Sequence, residues 1–80
     1  MVDYNRISQT TLDFLDYAKN KTPDIVFITL INPAEEKVSV YAQIVTTSII
    51  RTSNFYTFEE FLDTSFESIH KSLILKLGKG

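Results

Sequence analysis

Apolar residues recur along the last third of the chain at steps of four, four, three, four and four: Phe58, Leu62, Phe66, Ile69, Leu73 and Leu77. That spacing keeps them on one face of a 3.6-residue helix, with Phe61 beside them. Thr57 and Glu60 stand as a capping box, the hydroxyl accepting from the N–H of residue 60 and the carboxylate reaching back. Tyr56 and Phe61 occupy the positions of a hydrophobic staple. Acids (Glu59, Glu60, Asp63) open the segment and lysines (Lys71, Lys76, Lys79) close it, as the helix dipole favours. Gly78 is placed to serve as a left-handed C′ residue. The pattern predicts one helix from Thr57 to Gly78. An alternative ends it near His70 and makes Leu73 to Leu77 a short strand.

The upstream pattern predicts a helix from about Asp3 or Asn5 to Lys19, with Tyr4, Ile7, Thr11, Phe14, Leu15 and Ala18 on one face. Asn20 and Lys21 end it, and Pro23 forbids continuation. Asp24 to Ile31 is β-branched and aromatic, bounded by prolines, and reads as a strand. Both of its faces are apolar: Ile25, Phe27 and Ile31 on one, Val26, Ile28 and Leu30 on the other. Such a strand is either covered on both sides or meets a partner with one of them. Asn32 to Glu36 is a hairpin turn. From Lys37 the pattern alternates, with Val38, Val40, Ala42 and Ile44 inward and Ser39, Tyr41 and Gln43 outward. Val45 breaks the phase and Ile49-Ile50 restarts it. Two strands, about 37–45 and 48–53, follow from this, joined by a turn or bulge at Thr46-Thr47-Ser48. One long bent strand is the alternative. Ser53-Asn54 then lead into the last helix.

The predicted architecture is α+β: helix–strand–strand–(strand)–helix, one small domain over residues 1–80. A small antiparallel sheet carries two helices packed on one face. Its other face would hold Tyr41, Val45 and Ile49 together with one face of the first strand. Ile74 and Leu75 fall outside the main stripe of the last helix. These five residues, Tyr41, Val45, Ile49, Ile74 and Leu75, are the candidate partner-binding positions, because contiguous exposed apolar surface marks interfaces.

In element order alone, this arrangement resembles the double-stranded-RNA-binding domain. That family carries a Gly-Pro-x-His stretch between its first two strands and a Lys-Lys-x-x-Lys type cluster opening its last helix. The matching positions here read Asn32-Pro33-Ala34-Glu35-Glu36 and Thr57-Phe58-Glu59-Glu60-Phe61. Acids at those places repel phosphate and forfeit counterion release. The resemblance therefore implies the fold, and nucleic-acid binding stands only as the alternative reading.

Composition removes several chemistries. The 80 residues contain no cysteine, which excludes disulfides and Cys-based zinc sites. The only glycines are Gly78 and Gly80, so no Gly-rich phosphate loop can form. A net charge of −2 argues against anionic partners. No apolar run is long enough to span a bilayer, and Met1 to Ser8 lacks an apolar stretch typical of a signal peptide, so the expected location is the cytoplasm. His70 is the sole imidazole. Glu60, Asp63, Glu67 and His70 share one polar side of the last helix, and Glu67-x-x-His70 matches a metal-ligand step. The first helix offers only Asp13 and Asp16 as further ligands, so the expectation is a solvated face with an exposed histidine. Lys19, Lys21, Lys37 and Arg51 would form a basic patch only if the strand ends approach each other. The expected cofactor, metal and catalytic complement is none. What remains is a non-enzymatic protein-interaction module of adaptor or inhibitor type, expected to be a homodimer.

Overall fold

The computed structural model describes residues 3–45 and 49–79. The elements run α1 (Tyr4–Lys21), β1 (Val26–Asn32), β2 (Lys37–Val45), β3 (Ile49–Thr57), α2 (Phe58–Asp63) and α3 (Phe66–Lys79). The three strands form one antiparallel sheet in the order β1-β2-β3. Residues 37–53 are thus two strands and not one bent one. The second continues through Asn54-Phe55-Tyr56 to Thr57, beyond the expected end at Ser53. The proposed turn at Thr46-Thr47-Ser48 lies outside the described residues.

α1 starts where the Asp3 side chain accepts from the Asn5 N–H, and it buries Ile7, Thr11, Phe14 and Ala18. Its apolar face is the one expected, except that Tyr4 stays half exposed at the helix start. On the sheet, strict alternation in β2 puts Val38, Val40 and Ala42 in the core. Cross-strand register sets Phe27 against Ala42, Ile31 against Val38, and Tyr56 against Val38 from the other side. Both helical layers pack on this face, and Phe14, Phe58, Phe61, Ile69, Leu73 and Leu77 complete the core.

The last helical segment is not continuous. It breaks at Thr64-Ser65, where Thr64 has extended backbone (φ −91°, ψ 131°). Thr64 closes α2 by donating its N–H to the Glu60 carbonyl, and Ser65 opens α3 by accepting from the Ser68 N–H at 3.2 Å. The physical reason lies in the phase of the buried residues. In an uninterrupted helix, Phe58 and Phe61 would centre about 90° around the axis from Ile69, Leu73 and Leu77. The break rotates both sets onto the sheet. Leu73 to Leu77 are helical, so the short-strand alternative is also incorrect. Gly78 lies within α3 and has no positive φ, so it is not a left-handed cap. The capping box at Thr57 and Glu60 forms in both directions, and Tyr56 packs on Phe61 with ring centroids 6.2 Å apart.

The β1–β2 turn has one costly residue. The Asn32 side chain accepts from the Glu35 N–H at 3.1 Å, and Glu36 then takes φ 54°. That left-handed conformation is unfavourable for a residue with a Cβ. Glu36→Gly is expected to stabilise the fold by roughly 0.5–1 kcal/mol, after the added unfolded-state entropy is deducted. A thermal melt should show the midpoint rising by a few degrees.

Candidate functional site

Among the described residues, nothing covers the face of the sheet opposite the helices. Register assembles it row by row: Leu30 beside Ser39 and Phe55, Ile28 beside Tyr41 and Ser53, Val26 beside Gln43 and Arg51. Val26 (50%), Ile28 (48%), Leu30 (57%) and Phe55 (67%) are exposed large hydrophobics on this face. Tyr41, half-buried, lies at its centre. The two-sided apolar pattern of β1 therefore resolves into a core face of Ile25, Phe27 and Ile31 and an open face of Val26, Ile28 and Leu30.

The candidate positions divide. Tyr41 sits in the open patch. Val45 and Ile49 pair with each other at the far end of the β2–β3 ladder, and their side chains lie outside the described residues. Ile74 is partly buried and packs against the core, so it is structural. Leu75 is exposed (57%), on the outer side of α3 with Ser68, Lys71, Ser72 and Lys76 around a shallow depression. It is remote from the sheet's open face and does not join the patch. Phe55 is absent from the sequence-derived candidates because it falls beyond the strand end expected at Ser53, after the Ser53-Asn54 connection. Its place two residues before the capping Thr57, in an extended β-branched and aromatic run, was the available signal.

His70 is not an exposed residue on a solvated face. It is half-buried, with its ring 5.7 Å from that of Phe27 and 6.0 Å from that of Tyr17. Its Nε2 lies 3.1 Å from Thr22 Oγ1, whose own proton goes to the Ala18 carbonyl. His70 thus ties α3 to the end of α1, with its Nε2 engaged by Thr22. Among the described residues, no group of three His, Cys, Asp or Glu side chains converges as a metal site.

Burial of the ring, and then the nearby Lys21 ammonium, push the His70 pKa below its ordinary value of 6.5. The unfolded chain therefore binds this proton more readily than the folded one. Stability contributed by neutral His70 is present above pH 6.5 and is lost as pH falls toward the depressed folded value. The melting temperature should decline on acidification below that point, and His70→Asn should flatten this part of the pH profile.

Acidic side chains gather at one end of the sheet. Glu35 and Glu36 in the β1–β2 turn adjoin Thr57, Phe58 and Glu59 at the start of α2, where the Phe58 N–H donates to the Glu36 carbonyl at 2.9 Å. Lys19 and Lys21 occupy the last turn of α1, just before the start of β1, at the other end of that strand. Register puts Lys37 opposite Thr57 and Gln43 opposite Arg51, so Lys37 and Arg51 are six residues apart along the ladder. That separation is about 20 Å, and the four cations do not gather into one basic patch. Among the described residues, no helix is long and apolar enough to cross a membrane.

No family model, curated protein or solved structure matches this chain.

Proposed function

We propose that this protein is a small non-enzymatic interaction module, of adaptor or inhibitor type, that associates with itself and with a partner protein through the open face of its sheet. The supporting observation is the cluster of Val26, Ile28, Leu30 and Phe55, exposed together around Tyr41 on one uncovered face. Contiguous apolar surface of this kind marks interaction sites. Full burial of such a side chain contributes ~1.5–3 kcal/mol. With each about half exposed, four leave ~3–6 kcal/mol per copy, or ~6–12 kcal/mol for two faces meeting. Association costs ~4–15 kcal/mol in lost freedom. Face-to-face pairing of two copies is therefore a dissociable contact that another protein can replace.

The test is mass by light scattering together with binding of a hydrophobic dye. A concentration-dependent dimer that binds dye when dissociated is expected. The double variant Ile28→Ser with Leu30→Ser should be monomeric and bind little dye. A strictly monomeric wild-type protein that binds no dye would remove this reading. Salt-sensitive retention of duplex RNA in a gel shift would favour the nucleic-acid alternative instead.

A further inference from the structure

The two free edges of the sheet, β1 and β3, are guarded differently. On β3, Lys76 reaches across from α3 and donates to the Ser53 carbonyl at 2.9 Å, and Arg51 adds a second charge. Charged side chains on an edge strand protect it from unwanted pairing. β1 has neither a charge nor a proline between Ile25 and Asn32. It is an aliphatic and aromatic strand whose outer edge pairs with no other strand among the described residues.

Beside that edge, α1 and the start of β1 enclose a groove of about 280 Å³. Leu15, Pro23, Ile25, Val26 and Phe27 supply apolar walls, and Lys19 is its charged lining residue. Asp16 and Asp24 are exposed and near in sequence, but neither lines the groove. Ligand pockets run to ~300–1,000 Å³, so this groove suits one or two side chains better than a small-molecule cofactor.

We infer that the β1 edge captures an extended segment of a partner protein, which adds to the sheet as a fourth strand. One of its aliphatic side chains enters the groove, and an acidic side chain beside it meets Lys19. Main-chain hydrogen bonds supply the binding, and the groove and the lysine supply selectivity. A second copy of this chain fits the edge poorly. Paired β1 strands would lie about 4.8 Å apart, while the α1 helices packed on them need about 8–10 Å between axes. A bare segment carries no such helix. The inference rests on the interaction-module reading and assigns that module a second contact, at the β1 edge, which shares Val26 with the open face.

The experiment pans a displayed library of random linear peptides against the full chain and measures the enriched peptide by fluorescence polarisation. Enrichment of β-branched, alternating sequences with an acidic residue is expected. N-methylation of the backbone nitrogens that face β1 should weaken binding by about tenfold or more, through lost hydrogen bonds. Lys19→Glu should weaken the acidic peptide severalfold and shift preference toward its lysine-substituted form. Ile28→Ser with Leu30→Ser should leave little dye binding and weaken the peptide only severalfold, because an added strand sets alternate side chains beside positions 28 and 30 while its main-chain hydrogen bonds and the groove contact persist. No enrichment, undiminished binding of the N-methylated peptide, or indifference to Lys19→Glu would each overturn the inference while leaving the open-face reading intact. Loss of peptide binding in the open-face variant would place the segment on that face and overturn it too.

Discussion

Phe14→Ala is expected to destabilise the fold by ~3–5 kcal/mol, the usual cost of emptying a buried aromatic site. Phe14 has no exposed surface and stands where three elements meet. Its ring lies edge-on to Phe27 of β1 at 6.2 Å and to Phe66 of α3 at 5.6 Å. Truncation removes both aromatic contacts and opens a cavity that helices anchored elsewhere cannot close. An 80-residue domain typically has roughly 4–12 kcal/mol in total. The variant should therefore unfold at much lower urea with little change in slope, or be unfolded without denaturant at the lower bound. Phe14→Leu, which keeps most of the volume, should cost clearly less. Equal losses for the two substitutions would show that the site is not close-packed.

Asn54→Ala is the second large effect, expected at ~2–3 kcal/mol from three lost hydrogen bonds, one of them charged. Asn54 Nδ2 donates to Tyr56 Oη and to Ser72 Oγ, each at 3.1 Å, and its Oδ1 accepts from Lys76 Nζ. This side chain links β3 to α3 through a partly buried polar cluster. Ser72→Ala removes one of those bonds and should cost about 1 kcal/mol. Urea titrations of the two variants and their combination test the coupling. The double variant should lose less than the sum, because both singles remove the Asn54–Ser72 bond.

Asn54 also shows where reading residues in order falls short. An Asn after Ser53 resembles a turn, and Asn is poor in strands generally. It is tolerated in β3 because Ser72 and Lys76, some twenty residues later, satisfy its amide. That pairing exists only once α3 is laid on the sheet. His70 follows the same logic. Its spacing from Glu67 suggested a polar face, but the α1–β1 connection brings Thr22 to its Nε2 and Phe27 to its ring.

The helix break is a different kind of case, because its signals were in the chain. Thr64 and Ser65 are weak helix formers able to cap. Giving Phe61 precedence over Leu62 exposes the phase conflict with Ile69, Leu73 and Leu77. With Leu62 in the stripe, the pattern from Phe58 to Leu77 is nearly continuous, since its angular drift is small over two turns.

By itself the sequence determined the α+β order, the inward set on β2, the capping box at Thr57, and the absence of cysteine chemistry. These depend on local periodicity, capping chemistry and composition, which act between residues close in the chain. Tertiary structure alone decided which face of β1 is buried. Both faces are equally apolar, so only the placement of the two helical layers could tell Phe27 from Ile28. It also decided that β3 is the guarded edge and β1 the open one, because the guard is Lys76, a residue on α3. The open sheet face and the open β1 edge, where the proposed interactions lie, both follow from long-range packing.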